Sequence, residues 1–259
     1  MFQLLAYLRF WLRSGNEHGL HSPFVFTVYA TVVRHTGTFA AYERVEKRRQ
    51  QLLSSDTVIS VADFGAGSHT GAGRQRRVAD IARTAAKPPR LAQLLFRLAN
   101  HFRPATILEL GTSLGLTTSY LAAADSRSRV VTFEGCPNTA AIARETFAAL
   151  NLRNIELVEG NLDYTLPPTL AALGQPLDFV FFDGNHRYEP TLRYFELCLA
   201  HRTDNSVFIL DDIHWSADME RAWEAIKAHP DVMLTVDLFY IGLVFFRKNQ
   251  PKQHFWLRV

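Results

Sequence analysis

The stretch ILELGTSLG, Ile107 to Gly115, decides the fold. An uninterrupted apolar run enters a glycine-containing turn, and a helical pattern from Thr117 to Ala124 leaves it, which is the outline of a strand, a tight loop and a crossover helix. Next comes VVTFE, Val130 to Glu134, a second apolar run whose last residue stands 134 − 109 = 25 positions beyond Glu109. A carboxylate at the tip of a second strand suits a ribose, because two neighbouring hydroxyls can both donate to it. Gly111 and Gly115 let the backbone turn tightly and approach a ligand, with amides at the helix start facing the ligand's polar end.

Outward from this unit the alternation continues. Further strands are expected at Thr106 to Leu110 itself, Ile155 to Glu159, Leu177 to Asp183, Ser206 to Asp212, Val232 to Leu238 and Tyr240 to Arg247. Between them Leu91, Leu94, Leu95 and Leu98 recur at helical spacing, as do Met219, Ala222, Trp223 and Ile226, and Leu192, Phe195 and Leu199. Asn138 and Ser216 read as helix starts, and His229-Pro230 as a helix end. The last two strands are joined by almost nothing and should form an antiparallel hairpin, whereas every earlier connection is long enough for a crossover helix. The expected class is α/β, a doubly wound parallel sheet with one reversed strand near its edge.

Residues 91–259 read as this Rossmann-like domain and residues 1–90 as a mainly helical extension serving as a lid or a dimerisation element. The chain has 259 residues, 47% hydrophobic and 20% charged, enough to bury a large core. Residues 1–50 hold seven Lys/Arg against three Asp/Glu, so the net charge of +3 leaves the remainder at −1. That argues against a nucleic-acid groove through the main domain. No stretch approaches the roughly 20 apolar residues of a membrane span, and Arg9 and Arg13 interrupt the first apolar run, so neither a span nor a signal peptide is read. Cys136 and Cys198 lack metal or disulfide spacing, and the cytoplasm is the expected address. The segment Phe2 to Arg13 reads as a docked helix, with a membrane surface or a second copy in a homodimer as the other uses of its apolar residues.

A second glycine loop, DFGAG at Asp63 to Gly67, competes for the ligand. It is followed by the basic RQRR, Arg74 to Arg77, and by helical stretches without a partner strand, so ELGTSLG is preferred and the first loop reads as a flap. A dinucleotide fits ELGTSLG less well, because the G-x-G-x-x-G spacing that seats a pyrophosphate is missing.

ILELGTSLG, together with FEG (133–135), VEGN (158–161), FFDGNH (181–186) and LDDIHW (210–215), resembles the class I S-adenosylmethionine-dependent methyltransferases, in the branch containing small-molecule and sugar O-methyltransferases. The likeness covers about residues 85–247. With HSPF (21–24) and KQHF (252–255), the whole chain also resembles a set of bacterial methyltransferases common in Bacteroidota. The resemblance implies a seven-stranded sheet of order 3-2-1-4-5-7-6 with strand seven antiparallel, and S-adenosylmethionine as cofactor. Glu109, Gly111, Thr112, Ser113 and Gly115 would frame its methionine end, Glu134 and Gly135 its ribose, Gly160 and Asn161 its adenine, with Asp183 also on the cofactor side. Many relatives carry Asp where Asn161 stands; an amide oxygen can still accept from an adenine amino group.

Charge also gathers where the fourth and fifth strands end, in Asp183-Gly184-Asn185-His186 and Asp211-Asp212-Ile213-His214. Three carboxylates and two imidazoles there perturb one another unless a cation or a substrate is bound. Methyl transfer to oxygen needs a base or a Lewis acid, and the group offers both. The Asp183/His186 spacing with the Asp211-Asp212 pair resembles metal-dependent sugar O-methyltransferases, which implies Mg²⁺ on Asp183, Asp211 and Asp212, and His186 as base, with His214 a further catalytic candidate. The bland reading leaves Asp211 in a turn, Asp212 in solvent, and His214 packed beside Trp215. The functional expectation is methylation of a hydroxyl on a small molecule or sugar. The alternatives are a nucleoside-binding protein without methyl transfer, and an N-methyltransferase.

Overall fold

The computed structural model describes residues 2–16, 20–62, 74–248 and 250–259. In chain order the helices and strands begin with α1 (Phe2–Arg13), α2 (Pro23–Val28, continued by a π-helical turn Tyr29–Val33), α3 (Ala40–Leu53), β1 (Val58–Val61), β2 (Arg74–Arg77), α4 (Val78–Thr84) and α5 (Pro89–Phe102). The alternating part follows as β3 (Thr106–Leu110), α6 (Leu116–Ala124), β4 (Arg129–Glu134), α7 (Pro137–Ala149), β5 (Ile155–Glu159), α8 (Leu162–Ala172), β6 (Leu177–Phe182), α9 (Tyr188–Leu199) and β7 (Arg202–Asp211). It closes with α10 (Ala217–Ala228), β8 (Leu234–Asp237), β9 (Ile241–Phe245) and β10 (Gln253–Trp256). The competing glycine loop, Asp63 to Gly67, lies outside the described residues.

The chain divides into two compact units, residues 36–174 and residues 1–35 with 175–259. Residues 1–35 fall in one of these units and residues 36–90 in the other. Tertiary packing decides this: Tyr42 of α3 meets Phe96 of α5 and Tyr120 of α6, with ring centroids 5.3 Å and 5.9 Å away. These aromatics belong to one apolar cluster with Val45, Leu52, Ile81, Leu114 and Ile142.

In the 36–174 unit, β4 lies between β3 and β5, all parallel. Every residue of β3 is buried, which is why this strand reads as an unbroken apolar run. The register sets Glu109 opposite Thr132, side by side on one face of the pair. β5 is partly exposed, with Glu156 and Glu159 its exposed residues. A separate antiparallel pair, β1 with β2, joins Val58 to Arg77 and Val61 to Arg74. The sequence reading gave RQRR no strand partner, and the structure corrects that: VISV is the partner. α7 starts at Pro137 with Cys136 at the cap position, and Asn138, expected to cap it, donates instead to the Ser60 carbonyl at 2.8 Å.

In the other unit the strand order is β6-β7-β9-β8-β10, with β9 antiparallel to both neighbours. The α/β class, the parallel β6–β7 pair and the final hairpin match the reading. β10 is an additional strand, parallel to β8 with Gln253 opposite Leu234, so the mainly parallel strands number eight where seven were expected. Ser216 does cap α10, its Oγ accepting from Met219 N at 3.2 Å, and His229 leaves the helix in extended conformation ahead of Pro230. Gly242 is required by packing: a Cβ there would stand 2.6 Å from Cη2 of the fully buried Trp223.

Candidate functional site

The turn after β3 is built from underneath. Glu109 is completely buried, and its Oε2 accepts from the hydroxyls of Thr132, at 2.6 Å, and Thr118. Since Thr132 spends its proton on Glu109, the 2.6 Å contact between Thr112 and Thr132 has Thr112 as donor. A relay from Thr112 through Thr132 to Glu109 thus anchors the loop to the strand floor. Above it Gly111 has φ 114°, Ser113 φ 50° and Gly115 φ 79°. At Gly115 a Cβ would come within 2.6 Å of Phe147 Cε1, so both conformation and space require glycine.

At the end of β4 the half-buried Glu134 holds this loop in place. Its Oε2 accepts from Ser113 N at 2.8 Å and its Oε1 from Cys136 N at 2.9 Å. Gly160, φ 125°, donates its amide to the Glu134 carbonyl at 3.0 Å. Gly135 follows Glu134 and is partly exposed. Asn161 uses its Oδ1 to cap α8, accepting from Asp163 N at 2.9 Å. The turn residues, Glu134, Gly160 and Asn161 therefore form a continuous rim of one unit, with Glu109 as its support rather than its surface.

The other unit gathers Asp183, His186 and Asp211: one ligand atom from each lies within 4.8 Å of the others. His186 Nε2 stands 3.6 Å from Asp183 Oδ1, and both side chains are only partly exposed. Asp211, the last residue of β7, is 1% exposed, a costly place for a carboxylate without charged or polar neighbours. Two carboxylates and an imidazole at this separation match the donor set of a divalent cation. Asp212 does not join the group. It turns out of the strand with φ 54°, and its amide donates to the Tyr240 carbonyl at 2.7 Å.

His214 does not join either. Its Nε2 lies 2.8 Å from Asp237 Oδ2 and its Nδ1 3.5 Å from Glu220 Oε1, so both nitrogens face carboxylates that the sequence reading did not consider. The ring stacks on Phe239 at 5.3 Å. Burial pushes its pKa down, but the Asp237 hydrogen bond and the charges of Asp237 and Glu220 outweigh burial and hold it above the ordinary value. Asp237 also accepts from Trp223 Nε1 at 3.3 Å and from Phe239 N at 2.9 Å. His214 is thereby a tie between the segment after β7 and the β8–β9 turn. A buried acid closing a strand just before a three-residue turn was the available signal for Asp237. The threonines around Glu109 were the other missed group, visible only once the β3–β4 register is known.

Residues 108–213 match the family model described as a methyltransferase domain. The matched stretch begins inside β3 and ends beyond β7, so it contains the glycine turn, Glu134, Gly160, Asp183, His186 and Asp211. A catechol O-methyltransferase of Niastella koreensis is 27% identical over 127 residues, which are 48% of this chain and 57% of that protein. The match thus spans little more than half the length of that curated relative. Among solved structures, the SAH-bound methyltransferase PaMTH1 of Podospora anserina superposes with a TM-score of 0.60 at 15% identity, covering 88% of this chain and 97% of that one. The O-methyltransferase TomG of Streptomyces achromogenes, in complex with SAM, gives 0.57 at 20% identity, covering 86% and 95%. Both likenesses are of fold. No helix among the described residues is long and apolar enough to cross a membrane.

Proposed function

We propose that the chain is an S-adenosylmethionine-dependent methyltransferase that acts in the cytoplasm on a hydroxyl of a small molecule or sugar. The observation that carries this reading is the Glu134 carboxylate, aligned by the Ser113 and Cys136 amides at the tip of β4, beside a turn in which only glycine fits at position 115. A carboxylate already oriented by two backbone donors accepts a ribose diol without reorganising. The rim suits the cofactor's other parts as well: Gly111 to Gly115 the methionine end, Gly160 and Asn161 the base. S-adenosylmethionine bound there supplies an electrophilic methyl group.

The chain's own contribution to transfer is a base and a clamp. His186 takes the proton from the acceptor hydroxyl at Nε2, and Asp183, 3.6 Å away, stabilises the resulting imidazolium. Asp183 and Asp211 would hold Mg²⁺, which would supply Lewis-acid activation of the hydroxyl. The catechol-directed relative favours a hydroxylated acceptor, and vicinal hydroxyls suit a chelating ion. Buried, unbridged Cys136 and Cys198 accord with a reducing compartment.

Calorimetric titration with S-adenosylmethionine and S-adenosylhomocysteine, followed by radiolabelled methyl transfer to a panel of catechols, phenols, sugars and amines, tests the proposal. Saturable binding with transfer to hydroxyls is expected. Absence of binding overturns it, binding without transfer favours the nucleoside-binding alternative, and transfer to amines alone favours the N-methyltransferase. Exhaustive chelation should abolish activity and Mg²⁺ restore it; full activity in chelator removes the metal.

A further inference from the structure

Outside the site, the least explained surface is α1. Its inner face is fully used: Ala6 and Phe10 are buried, Phe10 packs against Phe239 at 5.4 Å, and Tyr7 meets the same ring edge-on at 4.9 Å. Its end is fastened by Arg258, whose guanidinium donates to the carbonyls of Trp11 at 3.0 Å and Ser14 at 3.2 Å. The helix is therefore held rigidly while Leu4, Leu5, Leu8, Trp11 and Leu12 stay 64%, 48%, 49%, 47% and 77% exposed. At helical spacing these five fall within an arc of about 120°. Five large apolar side chains on one outward stripe are more than a monomer's scattered surface hydrophobics.

We propose that this outward face of α1 rests on an anionic lipid bilayer surface, bringing the protein to the membrane without spanning it. Charge chooses this occupant. Arg9 borders the stripe beside Leu5 and Arg13 follows on the same side, both exposed and without an ion pair among the described residues, while at the opposite border Arg258 lies 4.6 Å over the Trp11 ring. Residues 2–16 contain no Asp or Glu. Leucines with the Arg9 side chain at one border and Trp11 with Arg258 at the other match the acyl boundary, the phosphates and the interface of a bilayer. A second copy packed α1 to α1 would instead press two sets of arginines together with no acid from either helix to pair them. Twelve residues are too few to cross, so the helix lies flat.

The test is co-sedimentation of the full chain with vesicles of phosphatidylcholine alone and of equimolar phosphatidylglycerol and phosphatidylcholine, with analytical ultracentrifugation of the same samples without lipid. Binding to the anionic vesicles is expected, weakening with added salt and nearly lost on phosphatidylcholine. Each arginine contributes about fivefold, so the R9Q/R13Q variant should bind about 25-fold less tightly. The L8Q/L12Q variant, altered only at exposed positions, should keep its thermal midpoint and lose vesicle binding. Failure to bind anionic vesicles, or binding indifferent to both variants, overturns the proposal. So does a concentration-dependent dimer that L8Q/L12Q dissolves, because the partner would then be a second copy. None of these outcomes depends on methyl transfer.

Discussion

Glu134→Gln separates the loop-holding contacts of one carboxylate from the ribose binding proposed for it. In the wild type, Oε2 accepts from Ser113 N at 2.8 Å and Oε1 from Cys136 N at 2.9 Å. An amide of the same shape keeps one acceptor and turns the other position into a donor facing a donor. A hydrogen bond to a charged group contributes about 1.5–3 kcal/mol, and water reaching this half-buried side chain recovers part of the loss, so the ligand-free variant should lose about 1–2 kcal/mol. For a protein of this size that is a fall of roughly 2–8 °C in thermal midpoint. Cofactor affinity should fall further, because two ribose hydroxyls lose an ionised acceptor; at the low end of the same range for each, the loss is about 10²-fold. Calorimetry with S-adenosylhomocysteine measures it, and a 2′-deoxy analogue closes a double-mutant cycle. If Glu134 touches the ribose, removing the hydroxyl weakens binding to the wild type but scarcely to the variant. A lower thermal midpoint with unchanged affinity would reduce Glu134 to a clasp on the loop and refute the ribose assignment.

His186→Ala should reduce kcat by about 10²-fold or more while leaving S-adenosylhomocysteine affinity intact; unchanged turnover in single-substrate kinetics removes the base. His214→Gln should destabilise the fold in a pH-dependent manner. Because its carboxylate partners raise the folded pKa above the unfolded value of about 6.5, the contribution of charged His214 is fully present below that pH and is lost as pH rises through the folded pKa. The difference in thermal midpoint between wild type and variant should therefore narrow from acid to alkaline pH, and a constant difference would contradict the ion pair. Gly115→Ala places a side chain at φ 79° and within 2.6 Å of Phe147 Cε1. Left-handed strain and overpacking together should cost about 2–4 kcal/mol, and a urea midpoint showing less than about 1 kcal/mol would contradict that geometry.

How far the sequence was legible depended on how local the deciding interactions are. β3, β4, β6 and β7 carry buried apolar residues in consecutive positions, and the intervening helices repeat theirs at helical spacing, so both kinds of element declare themselves within a few residues. β2 and β10 do not. Arg74 to Arg77 is entirely polar, and Gln253 to Trp256 is a four-residue edge that resembles a tail; each is a strand because a distant segment offers it hydrogen bonds. The division of the first 90 residues was illegible for the same reason, since Tyr42 and Phe10 look alike in sequence and bury themselves in different units. His214 gives the sharpest instance. Three residues after Asp211 it reads as part of one acidic cluster, yet its partner Asp237 is 23 positions further on, and only the folded hairpin supplies it.

Backbone strain points to the same places as side-chain chemistry, by an independent route. Six non-glycine residues among those described have positive φ, and two of them, Arg103 and Asn151, follow helix ends, where that conformation is common. The other four, Ser113, Asn185, Asp212 and Phe239, sit in the segments that follow the carboxyl ends of β3, β6, β7 and β8. Each departs from the preferred backbone regions at a cost of about 1–2 kcal/mol. At three of them a short hydrogen bond from the strained residue's own amide fixes the turn: Ser113 N to Glu134, Asp212 N to the Tyr240 carbonyl, and Phe239 N to Asp237. A fold under selection for stability alone would have put glycine or asparagine at Ser113 and Phe239. Strain kept at the strand ends where α/β proteins bind ligands, and held at Ser113 and Phe239 by the carboxylates of Glu134 and Asp237, is what preorganised sites require. That coincidence gives Glu134 and Asp237 a common logic: each fixes a strained turn by accepting from a backbone amide.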